Sequence, residues 1–353
     1  VLEARPRLGG RVFSYRLPQN PNLICELGGE WVGASHERIH EMCRAFGITL
    51  DDHRFEASLL ADSKVIAPNA WKYSPAAQRG FERLRRDYGA MNARQKEELD
   101  RLDWWTCLEN YGFSPADLRL RDLFDSTDFG ESIRFVSAYA AASEYFESSP
   151  ANEMDFRMRG GNSRLVEQLA RRVGAQNIRL NAPLRAVTQK NGAVYARFGS
   201  GGGVVLKADA LVCTLPVAAL KNVQFEPGLP SNQSEALEKL IYARIQKNQL
   251  LFENRWWQKK DWSLVTDRTS HYAFHTTRNQ PGREGILTAY VTGDKADVLA
   301  AQNGAMRQKM IAADLQFAHP NTQQTVRGFF SQSWQRDALT QGAYALFRPG
   351  QWF

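Results

Sequence analysis

VLEARPRLGGRV, residues 1–12, carries more information about the fold than any other stretch of the 353-residue chain. Val1 and Leu2 read as the end of an apolar strand, and Glu3 follows at once. In a dinucleotide-binding βαβ unit the second strand closes on an acidic residue that accepts hydrogen bonds from ribose hydroxyls. Glu3 fits that place. Arg5, Arg7 and Arg11 put cations into the following turn, where a pyrophosphate needs neutralising donors. Gly9 and Gly10 let the backbone turn tightly and approach a flat ligand without a Cβ in the way. An exposed basic β-turn has the same composition. The G-x-G-x-x-G loop that decides between the two readings belongs about 20 residues upstream, ahead of Val1.

Working outward, bulk properties exclude several classes. The net charge is +7 and the isoelectric point about 9.2, but bases interleave with acids. The densest cluster, Arg79 to Arg86 in RGFERLRRDY, reads as a solvated helix, so no nucleic-acid partner is expected. No run of about 18 apolar residues occurs, so no membrane span is expected. Cys25, Cys43, Cys107 and Cys213 lie too far apart for a disulfide framework or a zinc site. Cys25 and Cys213 sit in apolar, strand-like runs and read as buried thiols; sparse cysteine favours a reducing, cytoplasmic compartment. His36 and His40 are four apart, as are His271 and His275, yet neither pair has the glutamate of an H-E-x-x-H site, so no metal is expected. Glu144 and Glu147 lack the surroundings of a glycosidase carboxylate pair.

Four kinds of region alternate along the chain. Residues 1–54 hold a strand end, two Gly-Gly turns and a helix ended by Gly47. Residues 55–154 read as mainly helical; Trp104, Trp105, Tyr111 and Phe113 there suit a domain core better than a nucleic-acid platform. Residues 155–230 run helix, strand, a hairpin about GSGGG (199–203) and the buried-strand pattern ALVCTLP (210–216). Residues 231–329 mix the strands QLLFE (249–253) and ILTAYVTG (286–293) with the helix GAMRQKMIAADLQFA (304–318). A β/Gly-turn pattern that is interrupted and then resumes predicts an α/β chain, a discontinuous nucleotide-binding domain with a second domain inserted twice.

The opening segment resembles the E-A-R-x-R-x-G-G-R element of the flavin amine oxidase family, which includes monoamine, polyamine and L-amino acid oxidases. ELGGEWVGASHERIHEMCRAFGI (26–48) is similar to the family's L-G-G-x-W/Y-V-G-x-x-H/Q-x-x-I run. The resemblance implies FAD, with Glu3, Ala4, Arg5, Gly9, Gly10 and Arg11 matching the first element. Gly28, Gly29, Glu30 and Trp31 match the stretch that passes along the flavin ring, with an ordinary core aromatic as the lesser reading of Trp31. MRGGNSRLVEQLA (158–170) resembles the return to the flavin domain, with Asn162 or Ser163 capping its helix. Val187 matches a position whose backbone meets the adenine, and ADALVCTLP (208–216) resembles the family's D-x-V-V-x-A-x-P strand. The implied architecture is a Rossmann-like FAD-binding domain at 1–54, 155–230 and 330–353, with an inserted α+β substrate-binding domain at 55–154 and 231–329. It also implies a chain cut before its phosphate loop and before its last flavin-binding segment.

The resemblance further implies the chemistry. In LEKLIYARIQKNQLLFENRWW (237–257), Lys247 occupies the place of a lysine that holds a water near flavin N5, and Trp257 that of the family tryptophan. Lys239 and Arg244 are the alternatives if the register slips; by itself a lysine at a strand start is an exposed residue. In SWQRDALTQGAYALFRPGQWF (333–353), Trp334 and Tyr344 match residues flanking the flavin and the amine. Ala343 stands where monoamine oxidases carry a flavin-bonded cysteine, which implies non-covalent FAD. The expected partners are a small amine and O2, and Arg157 or Arg159 would suit an amino-acid carboxylate. Carotenoid desaturases and protoporphyrinogen oxidases share the fold but lack the lysine and aromatic wall. A flavin-free scaffold is the reading outside enzymes.

Overall fold

A computed structural model describes residues 1–149, 155–201, 203–257 and 261–353. Its centre is a seven-stranded mixed sheet. The strand order is Val326–Ser333, Ile245–Phe252, Gly285–Thr292, Tyr272–His275, Trp262–Thr266, Glu56–Ala61 and Lys64–Ile66. Neighbours are antiparallel except Trp262–Thr266 beside Glu56–Ala61. Every residue of Ile245–Phe252 is buried, because protein covers both faces and successive side chains go to opposite sides. Leu250 and Phe252 enter a core with Leu287, Leu299, Ile311 and Leu315, closed by the helices Gly293–Ala300 and Gly304–Leu315. Each such side chain contributes about 1.5–3 kcal/mol through burial. Leu251 turns the other way, onto Leu17, Leu23 and Cys25 of the hairpin Ser14–Leu17/Asn20–Glu26. Lys247 shares Leu251's parity and faces the same hairpin.

Over one end of the sheet lie the helices Pro75–Ala90, Ala93–Asp100, Trp104–Asn110, Pro115–Phe129 and Ala138–Glu147. Their starts are written locally: the side chains of Ser74, Asn92, Asp103, Ser114 and Ser137 each accept a backbone amide of the first turn. Trp104 and Phe113 are buried in this layer, with Trp105 and Tyr111 packed beside them. The exposed face of Pro75–Ala90 carries Arg79, Arg83, Arg85 and Arg86. The strands Glu56–Ala61 and Lys64–Ile66 precede the helices where helical material was expected. The first pairs with a strand some two hundred residues away, a tertiary contact that no local periodicity announces. Residues 150–154 of that region lie outside the described residues.

The hairpin about 199–203 forms between Ala193–Phe198 and Val204–Ala208, with Gly202 outside the described residues. With Leu184–Lys190 and Gln224–Glu226 these strands make a separate four-stranded sheet. ALVCTLP departs from expectation. Residues 210–216 join no ladder among the described residues, Val212 is 87% exposed and Cys213 is exposed rather than a buried thiol. Its apolar residues would suit a strand interior, but interior placement requires a paired neighbour, and only Leu215 turns into the cluster of Val187 and Val223. Cys25 is fully buried, as expected.

Candidate functional site

Where the seven-stranded sheet meets the hairpin and the helices lies a cavity of about 540 Å³, within the 300–1,000 Å³ usual for small-ligand sites. Its floor is one face of the sheet. Lys247 pairs across strands with Tyr290, and Tyr290 with Tyr272, so the three side chains stand in one row. Phe274, two residues after Tyr272, extends the same face.

The Lys247 ammonium is almost fully enclosed and its protons have clear destinations. It donates to Glu30 Oε2 at 2.5 Å, to the Gly28 carbonyl at 2.8 Å and to the Glu26 carbonyl at 3.4 Å. The Glu30 side chain is 1% exposed and its other oxygen lies 2.9 Å from the Arg157 guanidinium. One carboxylate is thus shared by two buried cations, so loss of Glu30 would leave both without a carboxylate partner. Arg157 also donates to the Thr276 carbonyl at 2.5 Å and lies 5.5 Å from the Trp31 ring centre. It stands behind Glu30 and is not among the lining residues, while Arg159 pairs with Asp51 at the surface. Lys239 is exposed and paired with Glu235, and Arg244 is held by Glu131 and Asp297, so Lys247 is the cation on the cavity floor.

Gly28 and Gly29 form one wall, and each glycine has its own reason. A Cβ on Gly28 would meet the Arg11 carbonyl at 1.8 Å, whereas one on Gly29 would point into open space. The main chain there ladders with residues 11–13, through Leu27 N to Phe13 O and Gly29 N to Arg11 O. Asn162 reinforces it, donating from its side chain to the carbonyls of both Gly29 and Glu30 at 3.0 and 2.9 Å. That is Asn162's work in place of a side-chain helix cap; the first-turn bond from Ser163 goes to Ser14 instead. Trp334 donates from its indole to the Leu27 carbonyl at 2.6 Å. Tyr344 donates to the Asp128 backbone carbonyl at 2.8 Å, and its oxygen lies 3.0 Å from the Tyr290 hydroxyl. Tyr344 has one proton, so Tyr290 donates to it. Burial raises the pKa of the Tyr290 phenol. Trp31 completes the far wall against Phe274 and Phe55.

Of the residues expected at the site, Arg11, Gly28, Gly29, Glu30, Trp31, Lys247, Trp334 and Tyr344 line this cavity together. Glu3, Ala4, Arg5, Gly9, Gly10 and Val187 do not. The Glu3 carboxylate accepts the Arg5 amide at 2.7 Å, and Arg5 grips Asp337 with two bonds of 2.9 and 2.5 Å. Burial alone would raise the Asp337 pKa; the Arg5 bond and charge outweigh it and hold the group below the usual carboxylate range. Arg7 bonds the Gly10 carbonyl and lies 4.0 Å from the Phe13 ring centre. Arg11 donates to the Ala343 carbonyl and covers Tyr242. Gly9 and Gly10 turn with positive φ of 97° and 55°, the left-handed backbone that favours glycine. Val187 is buried inside the four-stranded sheet. Tyr272, Phe274, Tyr290 and Asp128 were missed; the two strands carrying the first three are buried almost throughout, so no polar alternation marks the face lining the cavity, and the only signal was the shared parity of Tyr272 and Phe274.

Among the described residues no group of three histidines, cysteines or carboxylates gathers as a metal site, and no helix is long and apolar enough to cross a membrane. His36 accepts the Gly33 amide at 3.0 Å, and His271 contacts Ser126 and Thr292. Glu147 accepts the Tyr88 hydroxyl and pairs with Lys96.

Residues 1–352 match the model of the flavin-containing amine oxidoreductases. The chain is 23% identical to an L-amino acid oxidase of Cerastes cerastes, covering 99% of this chain and 73% of that protein. It is 18% identical to a probable flavin-containing monoamine oxidase A of Dictyostelium discoideum, covering 98% and 80%. Among solved structures, putrescine oxidase bound to putrescine superposes with a TM-score of 0.84 at 19% identity, over 99% of this chain and 82% of that one. Cyclohexylamine oxidase from Brevibacterium oxydans IH-35A superposes with the same TM-score at 17% identity and the same coverage. The Gly-Gly wall, the enclosed lysine and the aromatic row accordingly belong to a member of the flavin-containing amine oxidoreductase family.

Proposed function

We propose that the protein oxidises an amine to an imine with non-covalently bound FAD. The supporting observation is the row of Lys247, Tyr290 and Tyr272 beneath the Gly28–Gly29 wall, an aromatic cavity with one enclosed cation. The residues present fit a flavin ring: Gly29 leaves open space where a side chain would stand, and Lys247 offers a cation beside that wall. Backbone 28–31, Trp334 and Lys247 would hold it. Bound FAD would supply the hydride acceptor, and O2 would take up the electrons as H2O2.

The chain's own groups orient the amine and keep water out. Tyr344, held by the Asp128 carbonyl and Tyr290, presents a ring to the amine nitrogen. Trp334, 2% exposed, closes the cavity beside Ala343. Lys247 has its protons directed at Glu30 and two carbonyls, so its role is a fixed positive charge at the cavity floor, and a water held there would have to share one of those bonds. Ala343 offers no nucleophile, which supports non-covalent attachment. The same reading divides the chain into a cofactor domain at 1–54, 155–230 and 330–353 and a substrate domain at 55–154 and 231–329, and both contribute to the lining.

An amino-acid substrate would need a cation for its carboxylate. Arg11 is engaged by the Ala343 carbonyl and Tyr242, and Arg157 by Glu30, which favours a simple amine. The test is spectroscopic. The purified protein with FAD should be yellow, release its flavin on acid precipitation, bleach with an amine under anaerobic conditions and form peroxide in air. Colour that persists with every amine tried would sink the reading, and flavin that stays with the acid precipitate would sink its non-covalent part.

A further inference from the structure

A second cavity, of about 550 Å³, adjoins the first. The two share Thr127, Asp128 and Tyr272 as lining residues. At its outer end stands Arg54, whose side chain is 62% exposed and paired with Asp155 at 3.1 Å. Between the ends stand the stacked rings of Trp71 and Phe124, 4.3 Å apart. The two cavities therefore form a route from the surface to the Lys247 floor, and Asp128 stands at the junction.

Among the described residues, Asp128 is the one acid on that route whose carboxylate is not committed to a cation. Glu30 is occupied by Lys247 and Arg157, Asp125 by Arg121 and the Trp104 indole, and Asp155 by Arg54. The Asp128 carboxylate meets only neutral groups, the Tyr145 hydroxyl at 3.3 Å and, 3.4 Å away, the Thr127 hydroxyl, which donates mainly to the Phe124 carbonyl at 2.7 Å. It is exposed and opens onto both cavities, with enough protein around the carboxylate to weaken its hydration. That desolvation, and then the nearby Asp125 charge, push its pKa up to about 7. Arg121 on the same helix and the Tyr145 hydroxyl pull it down, and Tyr272 and Tyr290 face it from the sheet with phenols raised by burial. Tyr344 donates to the backbone carbonyl of residue 128.

We propose that Asp128 receives the substrate's ammonium group at this junction and takes one of its protons, so that the amine enters the inner cavity neutral. This rests on the amine-oxidising reading. An alkylammonium holds its proton to about pH 10, by analogy with lysine, whereas loss of hydride from the adjacent carbon requires the nitrogen lone pair. In the transfer an ammonium N–H bond breaks and its electron pair stays on nitrogen. An O–H bond forms on the Asp128 carboxylate, which becomes neutral and later gives the proton to solvent through the outer cavity.

The test uses the FAD-loaded protein and its Asp128→Asn variant, which keeps the backbone carbonyl that holds Tyr344. Phenyltrimethylammonium, which is always charged and has no N–H, serves as the calorimetric probe. Wild-type affinity should rise roughly tenfold from pH 6 to pH 8, as a carboxylate with a midpoint near 7 ionises. Asp128→Asn should bind weakly and without that dependence; Asp128→Glu should restore it. With the amine that bleaches the flavin fastest, Asp128→Asn should lower kcat/KM roughly 100-fold at pH 7.5. The deficit should shrink as pH approaches 10, where the amine arrives neutral. Probe binding that ignores pH in the wild type, or survives unchanged in Asp128→Asn, would overturn the docking role. A deficit equally deep at pH 10 would overturn the proton transfer. If no amine bleaches the wild-type flavin, the functional reading fails, while the calorimetry still reports on the cation site by itself.

Discussion

The two faces of the strand Ile245–Phe252 differ in what covers them, not in how deeply they lie. On one face Leu250 and Phe252 pack among Leu287, Leu299, Ile311, Leu315 and Trp257, while Gln246 and Asn248 further along it hydrogen-bond to one another. On the other, Lys247 and Gln249 reach carbonyls of residues 26 and 28 and the carboxylate of Glu30. The first face supports the fold by packing. The second carries a charge into the interior, which is stable there only because every donor has an acceptor. Burial alone does not distinguish a core from a site; the chemistry of the partners does.

Three substitutions probe that contrast. Leu250→Ala should have the largest effect on stability, about 2–5 kcal/mol from lost burial and the cavity left behind. Chemical denaturation measures it, and the peroxide rate per bound flavin should barely change. Lys247→Met should slow flavin reduction about 100-fold, or about 2.7 kcal/mol of barrier, in stopped-flow traces. Its unfolding midpoint should move less than that of Leu250→Ala, because Met fills the volume and Glu30 keeps Arg157. If the stability losses came in the reverse order and reduction stayed fast, the two faces would be equivalent and the contrast would collapse. Tyr344→Phe should have the smallest effect, about 1 kcal/mol for one hydrogen bond, read as a rise in KM of a few-fold. An unchanged KM would mean that the bond to the Asp128 carbonyl does not position the ring.

Much of the site was legible because its constraints are local. Gly28 must be glycine where a Cβ would strike the Arg11 carbonyl, and such constraints leave a motif. Lys247 was legible through the resemblance of residues 237–257 to the family's lysine-bearing segment, with Trp257 matching the family tryptophan. Tyr272, Phe274 and Tyr290 were not, because their role arises from pairing between strands. Asp128 was hidden for a similar reason: near a helix C-terminus it is unremarkable until the cavities on either side are seen. Arg157 was noticed as a possible carboxylate ligand, yet it serves as the second cation on Glu30. Cys213 shows the opposite error, since an apolar run states what a segment prefers and not whether a neighbour is there to cover it.

The side-chain amide of Asn162 has a consequence for ageing. Asparagine is among the thermolabile residues, and hydrolysis of this amide would turn a donor to two carbonyls into an anion facing them, close to the Glu26 carboxylate that accepts the Asn162 backbone amide. The Gly29–Glu30 peptide would lose its clasp without any change in the amino acids that touch a substrate. We expect heat-inactivated protein to carry aspartate at 162, detectable by peptide mass spectrometry, with Asn162→Asp reproducing the loss of flavin. If inactivated protein keeps Asn162 intact, its working lifetime is set elsewhere.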